Sequence, residues 1–227
     1  MGEHGSGERG WAAVEAYLVE ELVAEDPALA AARDAGRAAG LPAIEVAPTE
    51  GRLLWLLCRV VGARRVLEFG TLAGYSTLWF ADAVGPGGHV TTLEIDATHA
   101  AVARENFARA GVADRVRLIE GPAGDSAEAL VVAGEHPFDL VFVDADKPGN
   151  ARYLDLAVRL SRPGTVIVVD NVVRQGAVVD AGSQDPRVVG SREVLHALGT
   201  HPRLDATALQ TVGSKGWDGF ALARVRD

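Results

Sequence analysis

The 227-residue chain is 48% hydrophobic and 23% charged, the balance of an ordinary globular protein long enough to bury one sizeable core. Its longest apolar runs, LLWLLC from Leu53 and TVIVVD from Thr165, fall far short of the roughly 20 residues that span a bilayer, so no membrane association is expected. A formal net charge of -9 offers no general attraction for nucleic acid, and the single cysteine, Cys58, excludes an internal disulfide or a thiolate zinc site and reads as a small core residue.

The opening MGEHGSGERG, residues 1–10, reads as a flexible polar leader without a secretory pattern, so a cytoplasmic protein is expected. From residue 11 to 64, WAAVEAYLVEELV and EGRLLWLLCRVVGA carry helical periodicity around an Ala-rich stretch and the segment LPAIEVAPTE. These helices are expected in front of a sheet, capping a site or forming a subunit contact. No repeat or linker marks a second domain, and residues 65–227 form the α/β core of a single unit.

That core alternates strand runs with helical patterns: RRVLEF, HVTTLEID, VRLIEG, FDLVFVDA and GTVIVVDN are the strands. Such alternation predicts a parallel sheet covered on both faces, with right-handed crossovers. One intervening helix, THAAVARENFARAG, is expected to open on Thr98 and close at Gly111. The last two runs, LDATALQTV and GFALARV, are joined only by GSKGWD, too short a connection for a crossover, so they predict an antiparallel hairpin.

Ligands of open parallel sheets bind beyond the carboxyl ends of the strands. The first strand ends in EFGTLAGYST, whose Glu68, Gly70 and Gly74 read ExGxxxG rather than the GxGxxG that brings a pyrophosphate onto a helix terminus. A carboxylate at that place suits a cationic ligand. Glu94, about twenty residues beyond those glycines, is placed to accept both hydroxyls of a ribose, with Asp96 as a competing candidate that alternatively caps the next helix. S-adenosylmethionine meets these demands: it has a ribose, an ammonium and a sulfonium, and no phosphate.

Asp144, Asp170 and Asn171 bring two carboxylates and an amide oxygen to neighbouring strand ends, an all-oxygen set that suits Mg²⁺. Lys147, three residues beyond Asp144, is within reach of a hydroxyl held there.

At this point the ordered series EFGTLAGYST, LEID, EGPAGD, FDLVFVDADK, PGTVIVVDNVVRQGAV and WDGFALARV resembles the cation-dependent class I O-methyltransferases, the group containing catechol and caffeoyl-CoA O-methyltransferases. The resemblance covers roughly residues 44 to 226. It implies a Rossmann-like seven-stranded methyltransferase sheet, mostly parallel with an antiparallel carboxyl-terminal hairpin, behind amino-terminal helices. It implies Glu68, Gly70, Thr71 and Ser76 at the methionine end of the cofactor, Glu94 at the ribose, Ala123 and Asp146 near the adenine, and Val46 in the segment that closes over it. Asp144, Asp170 and Asn171 match the family's metal ligands, with Asp144 also beside the cofactor, and Lys147 matches its base. The implied acceptor is a small vicinal-dihydroxy aromatic, and the implied assembly is a homodimer.

The chain departs from the plant members of that family at Val173 and Arg174, where they carry an apolar residue and an aromatic. Arg174 is expected to meet an acidic acceptor or to face solvent, Gln175 to touch the substrate, and Trp217 to offer a stacking face. Two other readings compete. A nicotinamide-dependent oxidoreductase is disfavoured by the glycine spacing and the hairpin, and a silent cofactor-binding protein by the presence of the proposed metal and base residues.

Overall fold

A computed structural model of the protein describes residues 4–227, with side chains from residue 10 onward. The expected leader over residues 1–10 therefore lies partly outside the described residues, and from His4 the backbone is already helical. Among the described residues the strands are β1 (Arg65–Phe69), β2 (His89–Glu94), β3 (Val116–Glu120), β4 (Phe138–Val143), β5 (Ser161–Asp170), β6 (Leu204–Gly213) and β7 (Gly216–Val225). The α-helices are α1 (His4–Leu22), α2 (Pro27–Ala38), α3 (Pro48–Val60), α4 (Tyr75–Val84), α5 (Ala97–Arg109), α6 (Ala123–Val132), α7 (Asn150–Arg159) and α8 (Pro186–Thr200).

The seven strands form one sheet in the order β3-β2-β1-β4-β5-β7-β6. β1 to β5 are parallel, whereas β7 runs antiparallel between β5 and β6. Both the covered parallel sheet and the terminal hairpin follow the sequence pattern. The turn that closes the hairpin is shorter than expected: Gly213 pairs with Gly216 and only Ser214 and Lys215 lie between them.

Successive strand residues point to opposite faces, so the continuous apolar runs of β1, β4 and β5 feed two cores. Val66, Phe142 and Val168 pack with Leu54 and Cys58 of α3, Phe80 of α4 and Phe107 of α5. Leu67, Val141 and Ile167 pack on the other face with Leu130 of α6, Leu154 of α7 and Val194 of α8. Leu54 and Cys58 are 1% exposed, so α3 is one of the helices that build a core rather than an addition in front of it. Burial pushes the Cys58 thiol up to about 12, as expected of an inert core residue.

α5 starts two residues earlier than its sequence suggests. Asp96, not Thr98, is its N-cap: Oδ1 accepts from the amides of Thr98 and His99 at 2.7 and 3.2 Å. That local bond commits Asp96 Oδ1 to the helix cap. The strand order reverses between β1 and β4, which places the ligand crevice beside Gly70 and Asp144.

Candidate active site

At the crevice, the carbonyl of Asp144 approaches Gly70 so closely that a Cβ at Gly70 would stand 2.6 Å from the oxygen. Gly70 also has φ +95°, which an L side chain rarely adopts. The chain then turns through Thr71 and Leu72, the latter left-handed at φ 50°, before Gly74 starts α4. Glu94 at the end of β2 holds this turn: Oε2 accepts from the amides of Thr71 and Leu72 at 3.2 and 2.8 Å, and Oε1 accepts from Asp96 N at 2.9 Å.

Glu68 sits differently from the expectation. Its carboxylate accepts hydroxyls from Ser76 and Thr77, each at 2.5 Å, and from Thr92 at 2.7 Å. It is fully buried, because β1 turns residue 68 toward Ser76 and Thr77 of α4 and not toward the strand ends. Burial outweighs the three hydroxyls and raises its pKa to about 7. Glu68 thus braces the turn from behind.

A cavity of about 780 Å³ opens over the turn, a volume typical of small-molecule sites. Val46, Gly70, Thr71, Ser76 and Glu94 line one side of it. Ala123, Asp144, Asp146 and Lys147 line the other. Of the residues expected at the cofactor, only Glu68 is missing from this wall. Asp146 accepts from the Tyr153 hydroxyl and, at 3.1 Å, from Gly149 N, which fixes it at the start of a 3₁₀ turn over Lys147–Gly149.

The largest concentration of buried charge lies beyond β4 and β5. Lys147 Nζ donates to Asp144 Oδ1 at 2.7 Å, and Lys147 is 7% exposed. Asp170, 6% exposed, shares a hydrogen bond with Glu50 of α3. Burial first, then the charges of Asp170 and Asp144, hold Glu50 well above the carboxylate range. Burial and the Asp144 charge likewise raise Asp170.

No group of three or more His, Cys, Asp or Glu side chains with metal-holding geometry occurs among the described residues. The expected set contains two carboxylates and one amide, so its chemistry is the relevant test. Asp144 and Asp170 converge at a buried place where their mutual repulsion is offset chiefly by Lys147, and a divalent cation fits that charge deficit. Asn171 is left-handed at φ 58°, a conformation that asparagine adopts more readily than most residues other than glycine. Asp170 Oδ1 accepts from Asn171 N at 2.6 Å, and Ser191 of α8 donates to the Asn171 carbonyl at 3.2 Å.

Asn171 begins a loop clamped by β7. Asp218 Oδ1 accepts from the amides of Val173, Arg174 and Gly219 at 2.9–3.0 Å, and Gln175 N donates to the Trp217 carbonyl at 3.1 Å. Arg174 lines the 780 Å³ cavity, its side chain half-buried with the guanidinium 3.6 Å from Asp218. Gln175 and Trp217 line neither this cavity nor its neighbour. Asp218 and Phe220 face the neighbouring cavity, and strand alternation turns Trp217 away, where its indole donates to Gln210 at 2.9 Å.

That second cavity, of about 290 Å³, is lined by Leu53, Val212 and Phe220 and by Glu50, Asp170, Asn171 and Lys215. Asn171 borders both cavities. Sequence reasoning missed Glu50, Tyr153 and Lys215. Glu50 is the one acidic residue in the first turn of an amphipathic helix, a position that ordinarily signals only a favourable helix dipole.

Residues 19–225 match the family model described as O-methyltransferase. A catechol O-methyltransferase of Mycobacterium tuberculosis is 56% identical over 213 residues, 94% of this chain and 95% of that relative. The O-methyltransferase of Bacillus cereus, solved in complex with SAH, superposes with a TM-score of 0.94 at 48% identity, covering 96% of this chain and 99% of that one. An O-methyltransferase of tomaymycin synthesis from Streptomyces achromogenes, solved in complex with SAM, gives 0.93 at 44% identity, covering 97% and 99%.

Proposed function

Because the chain belongs to the O-methyltransferase family, we propose that it transfers the methyl group of S-adenosylmethionine to one hydroxyl of a catechol-like diol, using a divalent cation such as Mg²⁺. The observation that carries this reading is the position of Asn171, which borders both cavities. The larger cavity has the size and the Glu94 carboxylate to hold a nucleoside cofactor, and the smaller suits one aromatic ring. Their shared wall is the acidic corner, where donor and acceptor meet.

The reaction is an in-line displacement. An acceptor oxygen forms a bond to the methyl carbon as the carbon–sulfur bond breaks, and its electron pair leaves the sulfonium as a neutral thioether. Asp144, Asp170 and Asn171 are the residues that would hold the cation, which would supply the positive charge that favours an ionised hydroxyl. Lys147 acts as base in its neutral form, which a cation held by Asp144 and Asp170 would favour electrostatically; its free Nζ, nearly fully buried, then takes the hydroxyl proton. The Gly70–Asp144 approach and the Glu94-held turn fix the donor side, so positioning carries much of the acceleration.

Transfer of a labelled methyl group to catechol, assayed with and without EDTA, tests the reading. Loss of turnover in chelator and its recovery with excess Mg²⁺ are expected; full activity in chelator removes the cation. A Lys147→Ala variant with wild-type turnover at neutral pH removes the base.

We also propose a homodimer and a cytoplasmic setting. Val14, Tyr17, Leu18 and Leu22 form an exposed apolar stripe at helical spacing on α1, the kind of face that a second copy covers. Light scattering that gives a monomer mass at micromolar concentration would overturn the dimer. No described helix is long and apolar enough to cross a membrane.

A further inference from the structure

We infer that Lys215, at the tip of the β6–β7 hairpin, selects acceptors that carry a carboxylate on the side of the ring away from the two hydroxyls. The inference rests on the catechol reading above and names the substrate class of the smaller cavity.

The argument begins with what the charged groups of that cavity already do. Glu15 of α1 accepts from Ser214 N at 2.6 Å and from the Thr49 hydroxyl at 3.3 Å. Asp218 is occupied by three backbone amides and stands 3.6 Å from Arg174. Glu50 and Asp170 face each other, and Asp144 holds Lys147. Each carboxylate at or beside the cavity therefore has a partner within the protein. Lys215 is the exception: it lines the cavity, and it forms neither an ion pair nor a side-chain hydrogen bond among the described residues.

Its placement is fixed rather than incidental. Lys215 belongs to a two-residue turn, and Glu15 ties that turn to α1 through Ser214 N and to the start of α3 through Thr49. A Cβ on Gly213 would stand 3.0 Å from the Glu15 carboxylate, so glycine leaves room for that carboxylate at the turn. Lys215 lines the same cavity as Glu50 and Asp170. The chain contains only two lysines, Lys147 and Lys215, and both line the joined cavities.

A ring whose hydroxyls point to Asp170 and Asn171 lies along Leu53, Val212 and Phe220. Its substituent then emerges toward the hairpin turn, where an exposed ammonium is available. A carboxylate there gains an ion pair, a neutral group gains nothing, and an ammonium meets repulsion.

The test compares 3,4-dihydroxybenzoate with its methyl ester, which share the diol and differ in the charge of the tail. The readout is the ratio of kcat/KM for acid over ester in the wild type, Lys215→Met and Lys215→Glu. The expected wild-type ratio is about fivefold, the scale of a partly exposed ion pair, with the gain in KM. It should fall toward one in Lys215→Met, drop below one in Lys215→Glu, and shrink in the wild type at high salt. A ratio that changes by less than about twofold in both variants overturns the inference, as does a wild type that uses acid and ester equally. Calorimetric binding of the same pair with cofactor present separates the two levels of argument. Lys215-dependent acid binding without turnover would keep this inference and sink the methyl-transfer reading. Turnover of both compounds with no Lys215 dependence would do the reverse.

Discussion

Gly190 of α8 lies against the backbone of Lys147: a Cβ on residue 190 would stand 2.1 Å from the Lys147 carbonyl oxygen and 3.0 Å from Pro148 Cα. The next residue, Ser191, holds the Asn171 carbonyl. One turn of α8 therefore supports both the proposed base and a proposed metal ligand.

Gly190→Ala should push the 3₁₀ turn outward and misplace Lys147. Overpacking of this kind costs about 1–3 kcal/mol, so the thermal midpoint should fall, and kcat should fall by more than the loss of folded protein explains. Gly199→Ala on the same helix is the control. Nothing lies within 4 Å of a Cβ there, and its midpoint should hold or rise slightly.

Glu94 and Asp96 separate function from capping. Glu94→Gln replaces an acceptor with an amide that presents N–H to one of the three amides that Glu94 now holds. Hydrogen bonds to a charged group are worth about 1.5–3 kcal/mol, so calorimetric affinity for S-adenosylmethionine should weaken by about tenfold or more. Asp96→Ala removes only an N-cap outside the cavity. It should lower the thermal midpoint a little and leave cofactor affinity unchanged.

Glu68 makes stability depend on pH. Its folded pKa of about 7 lies above the ordinary 4.5, so between those values the folded state binds more protons than the unfolded state. Stability from this group is therefore fully present below about pH 4.5 and is lost as pH rises through about 7, by up to about 3 kcal/mol. Denaturant melts at pH 5.5 and 8.0 should show the loss in the wild type and a smaller one in Glu68→Gln. Equal slopes in the two proteins would remove Glu68 as the source.

Divalent cation should stabilise the folded chain independently of turnover. Asp144 and Asp170 face each other at a buried site, and a ligand that binds only the folded state at a hundred times its Kd adds about 2.7 kcal/mol. Millimolar Mg²⁺ should raise the thermal midpoint of chelator-treated protein. Asp170→Asn should raise the starting midpoint by relieving repulsion and should flatten the response to Mg²⁺.

The amino-acid sequence by itself determined the sheet, because strand runs, crossover lengths and a short final connection are local signals. It also identified much of the wall of the larger cavity: Gly70, Thr71, Ser76 and Glu94 sit at strand ends or in the turn beside them, where parallel topology leaves little choice of direction. What it left open was which way each carboxylate faces and what it meets. Glu68 and Glu94 both end strands, yet the alternation of β1 buries the first behind three hydroxyls while β2 brings the second to the cavity. Glu50 lies 120 residues before Asp170 and Lys215 45 residues after it, and Trp217 differs from Asp218 by one residue and the opposite face. Such placements depend on long-range packing of α3 and the terminal hairpin against β5, and only the tertiary structure decided them.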